Sequence, residues 1–290
     1  MSRITISEAL KEMEAGGGVP MFIPSIGRKL LFKRMTTGTQ KTLGRMAVNN
    51  ADLYHNGVIR LALFDDLLLE GTKEYRSSQL KTVDVVAFIA QLKMQSFGED
   101  KAFTMAVQCP SCGTVNMVDV DMKRILENCG KHEFRSMSLK MEGGTPSRTY
   151  EFVLCEPTYL DTLILMESMR RSDADIRSII DAEFCFVYNK LCLYIDSVSI
   201  DGKDVEGDDG EKFSKIPIVD RLRFFDSMDQ RMTVDEGNKD SLVNVISAAF
   251  PEDVMTAAVF DGALSKDACE SSGCGVRLKE VASYDAFFTA

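Results

Sequence analysis

The chain has 290 residues, 45% of them hydrophobic and 27% charged, which are globular values for a length that suits one large core or two smaller ones. Its 34 basic against 44 acidic residues leave a formal net charge of −10. That balance argues against a nucleic-acid backbone as the main ligand, because such binding rests on neutralising phosphates with Lys and Arg. No window reaches the ~18 uninterrupted apolar residues of a membrane span, so no membrane association is expected. The N-terminus, MSRITISEALKEMEAGGG, is acidic where a signal peptide needs an apolar core, so the chain is expected to stay in a reducing compartment.

The predicted fold class is α+β, a mainly helical body with short antiparallel strands and a zinc-ribbon-like cysteine site. Residues 1–20 form an arm whose short amphipathic helix (6–14) ends at the Gly16-Gly17-Gly18 run and Pro20. Residues 21–112 hold an extended start, a helical region and a first cysteine knuckle, residues 113–268 an α+β middle inserted between two knuckles, and residues 269–290 a cysteine-bearing tail. Within the extended start, MFIP and KLLFKRM read as paired strands about a turn at Ser25-Ile26-Gly27. The basic cluster GRKLLFKRM then has its Lys and Arg on the solvated face. The threonines of TTGT suit the cap of a helix over 39–48, and two longer helices follow between 57 and 97, the second capped by Thr82 and ended by Gly98.

KAFTMAVQ switches to period two, and TVNMVDVDM leads away as a second strand. Between them, QCPSCGTVNM places Cys109 and Cys112 on a turn with Gly113 directly behind, the pattern of a rubredoxin-type metal knuckle. Structural zinc takes four protein ligands, so a second pair is required. The near candidate is Cys129 with His132 in NCGKHEF; the far one is Cys269 with Cys274 in ACESSGCGV, where a glycine again follows the second cysteine. DMKRILENCG reads as a helix with Cys129 in its last turn, which makes Cys129 an ordinary buried thiol. The far pair repeats the knuckle logic before a strand-like VRLKEV. Cys109, Cys112, Cys269 and Cys274 are therefore the expected Zn2+ ligands, with Cys129 and His132 as the alternative second pair. The far set joins positions about 160 residues apart and, with four thiolates, leaves no open coordination position for hydrolysis. Cys155, Cys185 and Cys192 lie in apolar runs and are expected in the core.

The middle reads as a hairpin of SLKME and YEFVLCEP about EGGTPS, then a helix after Thr158 containing Met166 and Met169. A helix next passes into the strand IDSVSI, closed by the hairpin signal Asp201-Gly202. The acidic loop DGKDVEGDDGE matches no register of a calcium loop. IPIVDRLRFFDSMDQRM, with Pro217 in its first turn, and SLVNVISAAF complete the helices. With His55 and His132 as the only histidines, and no G-x-S-x-G, P-loop or H-E-x-x-H motif, no enzyme is expected.

The order of these features resembles the baseplate hub and hub-assembly family of T-even-type contractile-tailed bacteriophages. The matching stretches are FIPSIGRKLLFKRMTTGTQKTL, TVDVVAFIAQLKMQSFG, FTMAVQCPSCGTVNMVDVDM, YEFVLCEPTYLDTLILM, SVSIDGK, IPIVDRLRFFDSM and a cysteine tail ending in DAFF, covering residue 20 to the C-terminus. The resemblance implies a non-enzymatic virion component that docks onto other baseplate or tail proteins, or else an assembly factor absent from the finished particle. It also implies synthesis in the cytoplasm of an infected bacterium and a place in the virion tail. By the same comparison the cysteine pairs resemble the zinc-ribbon ligands of cysteine-containing members, with C-x4-C in the tail in place of C-x2-C. The N-terminal helix and Tyr284, Phe287 and Phe288 are the candidate docking contacts.

Overall fold

Period-two patterning builds the first element. Met21 and Ile23 of VPMFI, with Leu30 and Phe32 of RKLLF, fall on one face and are buried, so β1 (Val19–Ile23) and β2 (Arg28–Phe32) pair as an antiparallel hairpin. The turn between them is a 3-10 segment closed by Gly27 at φ 61, where a side chain would be strained. Arg28, Lys29, Lys33 and Arg34 are exposed, as the basic cluster predicts. The computed structural model describes residues 18–34, 36–39, 41, 53–69, 75–97, 103–144, 146–164, 167, 191–233, 239–250 and 257–282. The expected arm helix, most of the 39–48 helix, Gly98, Met166, Met169, Cys185, Tyr284, Phe287 and Phe288 lie outside the described residues.

The chain divides into two compact units, Met1–His132 with Asp253–Ala290, and Glu133–Glu252. The inserted stretch is thus 133–252 where the sequence organisation puts it at 113–268. The difference has a plain cause: β4 (Val115–Val120) pairs with β3 (Phe103–Gln108), and both belong with the helices that precede them.

In the first unit, helices α1 (Leu53–Leu67) and α2 (Thr82–Phe97) pack with the β1–β2 hairpin around a buried aromatic trio. Phe64 meets Phe32 edge-on at 5.1 Å and Phe88 at 5.1 Å, and Phe32 lies 5.3 Å from Phe88. The cap of α2 differs from the expectation. Thr82 is its first helical residue, and the Asp84 carboxylate accepts from the Lys81 backbone N–H at 2.7 Å. The other Asp84 oxygen takes the Ser25 N–H at 2.7 Å, which ties the β1–β2 turn to the helix. Desolvation pushes the Asp84 carboxyl up from its ordinary value, and the hydrogen bonds it accepts from Ser25, Lys81 and Tyr75 oppose that rise. Further along α2, Gln91 pairs both its amide atoms with the backbone of Phe22 at 2.7 and 3.0 Å. α3 (Met122–Gly130) packs on α2; Asp121 caps it by accepting from the N–H groups of Lys123 and Arg124.

The second unit is a four-stranded antiparallel sheet in the order β5 (Ser136–Gly143), β6 (Arg148–Cys155), β7 (Ile195–Ile200), β8 (Lys203–Asp204). The predicted hairpins are both present, the second through Asp201 at φ 52 and Gly202 at φ 78. The helical segment expected after Thr158 begins there, and Thr158 caps it by a reciprocal pair of hydrogen bonds with Asp161. Phe152, Leu154 and Val198 face helices α4 (Ile218–Asp226) and α5 (Leu242–Ala249), which contribute Phe225, Leu242 and Ile246 to the core. Pro217 precedes α4 at its N-cap, one position before the first turn. Cys192 is buried in this core, but Cys155 is only half-buried, because strand alternation turns it away from the face that Leu154 fills. No described helix is long and apolar enough to cross a membrane.

Candidate metal centre

Two turns from distant parts of the chain meet at the end of the β3–β4 hairpin. In the first, the Cys109 N–H donates to the Thr114 carbonyl at 2.9 Å and the Gly113 N–H returns to the Cys109 carbonyl at 2.8 Å. Gly113 sits at φ 72, and a Cβ there would meet no atom within 4 Å, so backbone conformation alone demands glycine. In the second, the Cys269 N–H donates to the Val276 carbonyl at 2.9 Å and the Cys274 N–H to the Ser271 carbonyl at 3.1 Å, with Gly273 and Gly275 at φ 79 and 68. The expected strand after Gly275 is reduced to one bridge, Ala268 with Arg277. Leu278–Val281 turns helical instead, with Leu278 buried.

The sulfurs of Cys109, Cys112, Cys269 and Cys274 all lie within 4.8 Å of one another. Cys109 Sγ is 3.4 Å from Cys274 Sγ, and Cys112 Sγ is 3.6 Å from Cys269 Sγ. A disulfide would bring sulfurs to about 2.0 Å. A tetrahedral thiolate site with bonds of about 2.3 Å sets them about 3.8 Å apart. The observed spacing belongs to the second case, and the four cysteines can hold a metal ion.

The thiols differ in their electrostatic surroundings. Hydrogen bonds from the Thr114 hydroxyl and backbone push the exposed Cys112 thiol down to about 6. Cys274 is pushed up to about 11: a hydrogen bond from the Val276 backbone lowers it, but Cys109, burial, Cys112 and Cys269 outweigh that bond. Four neighbouring thiols cannot all ionise without a cation to offset their mutual repulsion.

The alternative second pair is not assembled. Cys129 is fully buried in the last turn of α3, where desolvation first and the nearby Asp84 charge second push its thiol up to about 12. Neither Cys129 nor His132 joins the four-sulfur group, which is the only such group among the described residues.

Contacts invisible to a motif search bring the tail to β4. Ser265 N–H donates to the Asp119 carbonyl at 2.9 Å, and its hydroxyl accepts from the Asp119 N–H at 2.8 Å. Lys266 Nζ reaches the Met117 carbonyl at 2.8 Å. Asn116, fully buried, accepts from the Glu270 N–H at 2.9 Å. One turn of α3 adds Asn128, whose amide donates to the carbonyls of Val259 and Asp261. The signal for Asn116 was present in the sequence. In VNMVDV the inward positions are Asn116, Val118 and Val120, and a polar side chain on a core-facing strand position demands a partner.

These thiols differ enough in surroundings to separate by alkylation. In chelator-treated protein, peptide mapping after brief iodoacetamide exposure should find Cys112 labelled first. Its rate should climb through about pH 6 and level off by neutral pH, because the thiolate is the nucleophile. Buried Cys129 and Cys192, both pushed up to about 12, should stay unmodified at pH 8. Early labelling of Cys129 would contradict its placement. No family model, curated protein or solved structure matches this chain.

Proposed function

We infer that the chain is a non-enzymatic structural protein of a contractile phage tail baseplate, in its hub region, and that one zinc ion clamps its two cysteine knuckles together. The observation that carries the zinc part is the meeting of four thiols separated by up to 165 residues in sequence, at spacings suited to tetrahedral coordination. Thiolate ligands select zinc over magnesium or calcium, and a full set of four leaves the ion no place for water or substrate. A clamp of this kind closes a long loop, where a cross-link removes the most freedom from the unfolded chain. The baseplate part rests on the sequence resemblance, whose ordered motifs run through both units. Docking onto other baseplate proteins fits a scaffold whose outer strand positions Val115 and Met117 are more than half exposed beside the metal centre.

The test is mass spectrometry of purified virions from the phage that encodes the chain, combined with an amber mutation in its gene. Stoichiometric presence in the tail, with failure of tail assembly in the mutant, is the expected result. Absence from finished virions with the same assembly failure would make it an assembly factor instead. Normal tails in the mutant would overturn the reading.

A further inference from the structure

The two knuckles share one side chain that belongs to neither. Asn116 lies on β4 with no exposed surface, and its amide has a single orientation open to it. The Glu270 N–H can only donate, so it fixes Oδ1 at 2.9 Å; the carbonyls of Val107 and Thr114 can only accept, so Nδ2 faces them at 3.2 and 3.1 Å. Nδ2 carries two N–H groups, so Cys269 Sγ, 3.7 Å away, is reached by an N–H shared with one of these carbonyls, as a bifurcated N–H···S hydrogen bond. One residue therefore braces the first turn through Thr114, holds the second through Glu270, and aims a donor at a ligand sulfur.

Resting on the zinc reading above, we propose that Asn116 is a positioning residue of the metal centre, which sets Cys269 in register with the first knuckle and withdraws charge from its sulfur once metal is bound. Outer partners of metal ligands generally fix the ligand's direction, and losing one typically costs 10–100-fold in affinity; a partner that donates to a ligand sulfur also lowers its electron-donating power. A tetrathiolate site carries two net negative charges on a dication, so a buried donor at the sulfur relieves charge that solvent cannot reach. Lys266 provides the comparison within the same structure. Its Nζ joins the Met117 carbonyl at 2.8 Å to Glu270 Oε1 at 2.6 Å, which braces the tail without touching a sulfur.

The experiment is Co2+ titration of the full chain, read by the sulfur-to-cobalt charge-transfer band, on wild type, Asn116→Leu, Asn116→Asp and Lys266→Ala. Asn116→Leu removes every bond. Asn116→Asp keeps an acceptor for the Glu270 N–H but loses the donor, and it decides the matter if the leucine variant does not fold. The expected result is about 10–100-fold weaker Co2+ binding in both Asn116 variants, with the charge-transfer band moved to lower energy as the sulfur regains electron density. Lys266→Ala should bind more weakly with its band unmoved. Asn116 variants that match wild type in affinity, or that weaken without a band shift as Lys266→Ala does, would overturn the proposal. Failure of the wild type itself to give a tetrathiolate cobalt spectrum would instead sink the metal reading on which the proposal stands.

Discussion

Cys274→Ala is expected to loosen the junction between the β3–β4 hairpin and the 263–278 segment, with the second unit untouched. Structural zinc contributes about 10–16 kcal/mol of apparent binding energy in small zinc domains, so losing one of four ligands removes an effect of several kcal/mol. What then remains at the junction includes the hydrogen bonds that Asn116 and Ser265 accept from the N–H groups of Glu270 and Asp119, the bond Lys266 donates to the Met117 carbonyl, and the backbone pairs Ser265 to Asp119 and Asp121 to Ala263, each worth about 1 kcal/mol. Hydrogen exchange by mass spectrometry measures this directly. Amides of Val115–Val120 and of residues 263–278 should exchange faster in the variant, and the β5–β7 ladder, which belongs to a separate core, should not change. Chelation of the wild type should produce the same map. Unchanged protection along β4 would mean the hydrogen bonds alone hold the tail, and the clamp would be superfluous.

The second large effect lies away from the metal. Phe64→Ala should destabilise the first unit by about 3–5 kcal/mol, through lost burial and the cavity left among neighbours that cannot all collapse inward. Phe64 is fully buried and meets Phe32, Phe88 and Tyr75 in edge-on geometry, so its removal unties α1 from both the hairpin and α2. Phe64→Leu, which keeps most of the volume, should cost about 1.5 kcal/mol or less. Urea unfolding followed by ellipticity tests the pair. Equal losses for the two variants would show that packing at this position does not control stability.

Much of the local structure was legible because period and turn chemistry agree with each other. Alternation marked β1 and β2 and the β3–β4 pair, and Asp201-Gly202 marked the β7–β8 turn, since positive φ at both positions favours those residue types. The four sulfurs were legible from two cysteine turns, each followed by glycine. Other features depend on tertiary neighbours that no window contains. Thr82 has the right chemistry for a cap, yet Asp84 takes the role because the Ser25 amide waits for its second oxygen. VRLKEV has strand composition, but Leu278 gains more by turning into the core than by continuing a two-residue bridge. The bounds of the compact units were not legible, because α3 reads as an ordinary amphipathic helix, and nothing local tells which core its Ile125 and Cys129 enter. Asn116 shows the reverse case, an inward polar residue whose four partners are Thr114 in its own turn, Val107 on the paired strand, and Cys269 and Glu270 from the tail.

The most direct test of the zinc clamp is elemental analysis of protein purified without chelator, for wild type, Cys274→Ala and Cys129→Ala. The account predicts one zinc per chain in wild type and in Cys129→Ala, and none in Cys274→Ala. Zinc kept by Cys274→Ala and lost from Cys129→Ala, or no metal in any of the three, would contradict it.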